Sequence, residues 1–359
     1  MPDKAWRNEH TDQSTRWTSP ASLQMAETLP LLNPPQHARI RRVLGTPFSP
    51  AMMAETRPRI DNIVRRLLTD FDGHLRERPA DFVTLVSEEL PIITIGEWMR
   101  IPPSDYVLLR DLTHDQVHSQ EVFPTRSDLA VSDAATVQLQ KYFTDLIHER
   151  RQNLGADPIS NWIRAGDEFE ADRDTVDAIV HSLALFMILA ALETTSVLLA
   201  NAVRLLAEYP EQQLQVRGDR DLIPDAIEEV LRYDAPVQLI TRVAGTDTEL
   251  EGIPIAAGQN VQLLISAAHH DPAQYTAPHA FDVRRRRRAG GRFAPHLGFG
   301  AGVHYCLGSA LARMEASSLL TALLDRPPLC LAAPPTWASP RLAFRRMTSL
   351  PLRYAPNAG

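Results

Sequence analysis

The fold class that the sequence predicts is mainly α, a helical protein with a small β-sheet. Three observations predict it. Apolar residues recur at helical spacing over long stretches, proline and glycine collect between those stretches, and strand-like runs are short and fall mainly after Tyr233. A chain of 359 residues, 44% hydrophobic and 23% charged, has the balance of a globular protein and excludes the disordered and fibrous classes. A single domain over 1–359 is expected, with an atypical, short N-terminal segment at 1–36.

The first clear helix carries Ile60, Ile63, Val64, Leu67, Leu68, Phe71 and Leu75, a 3–4 spacing that sets one apolar stripe against a core. Helices are expected next at 104–122, 133–153 and 172–208. From Ile179 to Val203 the last of these is apolar enough to pass for a membrane span, but His181, Glu193, Thr194, Thr195 and Asn201 interrupt it, so it reads as a long buried helix. Helices at 222–233 and 307–324 complete the set, and 250–255 with 258–265 reads as two strands around a glycine turn.

The charge sum of −7 gives no global attraction for nucleic acid or for an anionic membrane. Two cysteines, Cys306 and Cys330, form no Cys-x-x-Cys pair, which removes disulfide-framework and cysteine-zinc readings. The polar N-terminus has no apolar core of signal-peptide length, so a cytoplasmic location is expected. A Gly-rich phosphate loop, a His-Glu-x-x-His helix and a Gly-x-Ser-x-Gly elbow are lacking, which withdraws support from hydride-transfer, zinc-protease and serine-hydrolase readings.

Chemistry concentrates in Phe299-Gly300-Ala301-Gly302-Val303-His304-Tyr305-Cys306-Leu307-Gly308, which runs straight into helix-forming residues. At the mouth of a helix the unpaired N–H groups and the dipole favour an anion, so Cys306 is placed to be a thiolate. Glycines at 300, 302 and 308 clear side chains from both sides of the sulfur, and the partner that fits is a haem. Cys330 has no such frame and is assigned to packing.

This segment resembles the haem-binding loop of the cytochrome P-450 family, Phe-x-x-Gly-x-His-x-Cys-x-Gly, at every fixed position. The resemblance implies a P-450-like fold, a helical bundle around a buried haem b, with Cys306 as the iron ligand and Phe299, Gly300, His304 and Gly308 beside the cofactor. Glu229 and Arg232 match the family's Glu-x-x-Arg helix, with Phe281, Asp282 and Arg285 matching the stretch that supplies a third buried partner; by spacing alone the pair could equally be a surface salt bridge. Arg242, after Pro236-Val237-Gln238, and His37 with Arg41 match residues that reach the haem propionates in the family. His37 and Arg41 are four apart and share a helix face.

Ala190-Ala191-Leu192-Glu193-Thr194-Thr195 resembles the family's oxygen-activating segment, with Ala191 where most relatives carry glycine. An acid beside a hydroxyl in an apolar helix is costly unless it is used or solvated. Reductive cleavage of dioxygen consumes two protons, and the resemblance implies that Thr194 orders water while Glu193 connects it to bulk. His37 comes several tens of residues earlier than its counterpart in typical bacterial members, so their first helices and first two strands are expected to have no counterpart, leaving a sheet edge open.

The resemblance implies a monooxygenase that inserts one oxygen atom into a small organic substrate of secondary metabolism, with electrons from a ferredoxin and its reductase. The alternatives are a peroxide-driven or otherwise atypical haem-thiolate enzyme and a non-catalytic haem-binding partner protein; Glu193 and Thr194 argue for dioxygen. The five arginines Arg284 to Arg288 read either as a solvated loop or as a basic patch that attracts an acidic ferredoxin, with Arg285 set aside as the partner of Glu229.

Overall fold

The computed structural model describes residues 18–45, 48, 50–169, 172–290, 294–338 and 341–356. Its contacts gather into two compact units, one from Met1–Pro47, Ile95–Ala190 and Leu239–Leu263, the other from Phe48–Thr94, Ala191–Gln238 and Leu264–Gly359.

In the first unit the helix Arg126–Gln152 packs against Tyr106–Gln116 and Pro20–Met25. It begins seven residues before the expected 133 because Thr125 and Asp128 form a capping box: Asp128 N–H donates to Thr125 Oγ1 at 3.1 Å and Thr125 N–H to Asp128 Oδ2 at 2.8 Å. The helix expected at 104–122 is Tyr106–Gln116 followed by a tighter turn over Val117–Gln120. Pro158–Phe169 was not anticipated, although Asp157 caps it, its Oδ1 accepting from Ser160 N–H at 3.0 Å.

The expected strand pair is corrected. Glu251 (φ 51°) and Gly252 (φ 79°) form the tight turn, so Thr248–Leu250 pairs with Ile253–Ile255, while Asn260–Leu264 pairs with Leu239–Val243. Positive φ at both central residues matches the twist of a two-residue hairpin, and that local preference outcompetes the longer loop at Gly258.

In the second unit the helix Pro50–Glu77 packs on Ser309–Leu324. All seven residues of the predicted stripe, Ile60 to Leu75, are buried. Ser318 Oγ donates to Asp61 Oδ1 at 2.6 Å across this contact. Pro351–Tyr354 is the centre of a three-stranded antiparallel sheet, flanked by Ala80–Asp81 and Leu329–Leu331. Both flanking strands are only two or three residues long, which leaves a short edge for any foreign strand to pair with. Cys330 lies half-buried in Leu329–Leu331.

The long helix is Arg173–Glu208, its residues to Ala190 in the first unit and from Ala191 in the second. Among the described residues it is the one helix long and apolar enough to cross a membrane, and 78% of its most apolar window is buried. Glu89–Met99 was missed for a related reason: Leu90, Ile92, Ile93, Ile95 and Met99 are all buried, and a helix that is apolar all round shows no stripe.

Glu315, in Ser309–Leu324, is buried and hydrogen-bonded to Thr94, and burial pushes its carboxyl up to about 8. The folded state therefore keeps a proton that the unfolded chain releases near 4.5, so this group's stabilisation is full below that pH and is lost as pH rises through 8. Glu315→Gln should abolish that loss. The unfolding free energies of the two proteins in urea should converge in acid and diverge by about 1.4 kcal/mol per pH unit between the two values; parallel pH profiles would show that the carboxyl is not held neutral.

Candidate functional site

The loop 297–308 closes on itself before the helix Ser309–Leu324 begins. Gly300 N–H donates to Leu297 O at 2.8 Å, Tyr305 N–H to Gly302 O at 3.1 Å and Cys306 N–H to Phe299 O at 2.9 Å. Gly300 (φ 69°) and Gly302 (φ 67°) take the left-handed conformation that side chains disfavour, which is why the sequence needs glycine at both. Gly308 caps the helix without a side chain, and a Cβ there would sit 4.0 Å from Cys306 Sγ. Cys306 is thus a half-buried sulfur at a helix mouth with glycine beside it, a soft donor that fits the iron of a flat macrocycle. His304, two residues before it at the end of the turn Gly302–His304, is half-buried, as is Phe299.

Glu193 is 1% exposed and is ion-paired, Arg341 Nη1 donating to its Oε1 at 2.7 Å. Arg346 lies 3.9 Å from the other carboxylate oxygen and itself donates to Glu88. Buried Glu193 and Glu88 alternate with half-buried Arg341 and Arg346, which offsets the desolvation that a lone carboxylate would suffer in this helix. Thr194, beside Glu193, is half-buried, and Cys306, Glu193 and Thr194 all belong to the second unit.

His37, Arg41 and Arg242 belong to the first unit. His37 and Arg41 share the helix Gln36–Gly45, and burial, then the Arg41 charge, lowers the His37 pKa below its ordinary value. His37 is buried, Arg41 half-buried and Arg242 exposed, with Arg242 Nη1 donating to Thr241 O at 3.0 Å.

The Glu-x-x-Arg pair is not a surface salt bridge. Glu229 is 2% and Arg232 0% exposed, and the guanidinium spends all five N–H groups: Nε and Nη2 on Glu229 at 2.8 Å each, Nη1 on His269 O and Pro278 O, and Nη2 again on Ala280 O. Arg285 Nε joins at 3.0 Å from Glu229 Oε1, as the resemblance implied.

The rest of the arginine run differs from the free basic patch considered above. Arg287 pairs with Asp219 at 3.0 Å and Asp225 at 2.8 Å, Arg288 with Asp282 at 2.8 Å, and Arg286 lies 3.7 Å from Asp225. Like charges in sequence are tolerated here because the fold sets carboxylates from other segments against them.

Residues that sequence reading missed include Arg341, 148 positions from Glu193, and the group Glu228, Arg313, His269 and His296 around the cysteine loop. A guanidinium's choice of carboxylate across such a separation leaves no periodic or spacing signal.

A cytochrome P-450 family model matches residues 117–326. The biotin biosynthesis cytochrome P-450 of Bacillus subtilis is 32% identical over 90% of this chain and 78% of its own length. The monooxygenase PikC of Streptomyces venezuelae is 33% identical over 98% of this chain and 80% of its own. The chain belongs to the cytochrome P-450 family. The fold agrees: the structure of P-450 BioI in complex with a hexadec-9Z-enoic acid-ligated acyl carrier protein superposes with a TM-score of 0.87 at 30% identity, covering 98% of this chain and 89% of that one. This P-450 is therefore an oxidoreductase of the monooxygenase class with haem as its cofactor. Its relatives include the nocardicin C N-oxygenase of Nocardia uniformis, 32% identical over 92% of this chain and 79% of its own.

Proposed function

We propose that this P-450 inserts one oxygen atom from dioxygen into a small organic substrate of secondary metabolism, as a single cytoplasmic catalytic domain that receives electrons from a ferredoxin and its reductase. The observation that carries the reading is the acid and alcohol pair, Glu193 and Thr194, set side by side in a buried helix with the acid anchored by Arg341. A peroxide-driven enzyme has no need for an anchored proton route.

Haem b, when bound through Cys306, supplies the redox chemistry of dioxygen cleavage, with the thiolate donating electron density. Phe299, Gly300 and Gly308 would line the cysteine side of the haem, and His304, His37, Arg41 and Arg242 would hold its propionates as charge-assisted N–H donors. Thr194 Oγ1 orders a water on the substrate side, and Glu193 passes protons to it. Arg341, with Arg346 and Glu88 beyond it, fixes where the Glu193 carboxylate stands. For the ferredoxin, Arg286 to Arg288 are offset by carboxylates, whereas Arg39 and Arg42 are exposed and available to a negative partner.

Thr194→Ala tests the reading. Haem and substrate binding should persist while product per reductant consumed falls roughly ten-fold or more and the missing electrons appear as hydrogen peroxide. An unchanged ratio would make Thr194 an ordinary helix residue.

A further inference from the structure

We infer that His269 and His296 are positioning residues for the thiolate loop, acting as two neutral acceptors that hold consecutive main-chain amides just ahead of Phe299, with Glu228 and Arg313 fixing the second of them. The inference rests on Cys306 being the haem ligand.

Leu297 N–H donates to His269 Nε2 at 2.7 Å, and Gly298 N–H donates to His296 Nδ1 at 3.0 Å. An imidazole nitrogen that accepts carries no proton, so each ring is held in one neutral tautomer. The other nitrogen of His296, Nε2, then faces Glu228 Oε2 at 3.2 Å as the donor. Arg313 grips the same carboxylate with Nε at 2.6 Å from Oε1 and Nη2 at 3.0 Å from Oε2, and its guanidinium covers the Phe299 ring at 4.4 Å. The hydrogen bond from His296 and the paired Arg313 guanidinium hold the Glu228 carboxyl well below the usual range despite its burial. Burial chiefly, helped by the Arg232 charge, drives His269 down to about 4, so the first acceptor stays available.

The fit at this point is close. A Cβ on Gly298 would come within 3.2 Å of His296 Nδ1 and 3.3 Å of Leu231 O, tight contacts that glycine avoids. The carbonyl of Phe299, the next residue, accepts Cys306 N–H. The main-chain oxygen of His269 takes Arg232 Nη1 at 2.8 Å. The same histidine thereby joins the buried Glu229–Arg232 cluster to the segment that aims the sulfur. An orphaned amide at 297 or 298 would let this segment shift and loosen the sulfur's aim.

The test compares His269→Leu, which keeps volume and removes the acceptor, with His269→Gln, which offers a neutral carbonyl. For each, the share of the reduced carbon monoxide complex with thiolate-type absorption is measured beside haem content and the thermal midpoint of the haem-free protein. The leucine variant should lower the ratio of thiolate to thiol form by about five-fold or more, the population change that an orphaned buried amide imposes at the low end of its cost. The glutamine variant should recover most of it. Equal ratios in parent and leucine variant, or equal losses in both variants, would overturn the inference. If the leucine variant takes up no haem, Arg313→Gln decides: it frees Glu228 and uncovers Phe299, and a parental ratio there overturns the inference as well. A parent protein with no thiolate-type signal would instead refute Cys306 as the ligand.

Discussion

Cys306→Ala is expected to abolish the thiolate-type absorption of the reduced carbon monoxide complex, while Cys330→Ala leaves it intact. Both sulfurs are half-buried, so exposure does not distinguish them. Position does. Cys306 stands at the mouth of Ser309–Leu324 with Gly308 beside it, where helix N–H groups favour the anion that iron needs, whereas Cys330 lies in a strand, its sulfur 3.9 Å from Tyr354 O. The effect should be complete, because the ligand set has one protein member. A thiolate-type spectrum surviving Cys306→Ala, or lost in Cys330→Ala, would overturn the assignment. The haem-free Cys306→Ala protein should unfold close to its parent, since the loop's main-chain bonds do not use the sulfur.

Arg232→Ala should be the most damaging substitution outside the loop. It would strand Glu229 at 2% exposure with Arg285 and the Asp282 main-chain N–H as its remaining partners, and would take the guanidinium from the carbonyls of His269 and Pro278. Breaking a buried pair from one side costs about 3–5 kcal/mol, much of the total stability of a typical domain. Urea unfolding of the haem-free protein measures it, and a loss under about 1 kcal/mol would mean that the cluster relaxes freely. Arg232→Lys should rescue little, since one ammonium cannot match five donors held in a planar fork.

How much of this was legible in advance depended on the reach of each signal. The stripe from Ile60 to Leu75 identified its buried face because helical periodicity is written into neighbouring turns. The capping box of Thr125 and Asp128, and Asp157 before Pro158, are equally local signals of where a helix starts. The hairpin turn at Glu251 and Gly252 was misplaced because two glycine-bearing turns competed and the sequence pattern did not rank them.

The sequence by itself determined the helical class and the identity of the candidate ligand, each carried by local periodicity or a contiguous frame, whereas the third partner of the Glu229–Arg232 pair came from the resemblance to the family. Only the tertiary structure decided which charges are spent. It placed Arg341 on Glu193, turned a run of five arginines into a set of ion pairs with Asp219, Asp225, Asp282 and Glu229, and brought His269, Glu228 and Arg313 to the cysteine loop. A helix or a turn is specified by neighbours a few residues apart, whereas an ion pair between distant segments depends on how the packed elements bring those segments together, and no spacing along the chain encodes that distance.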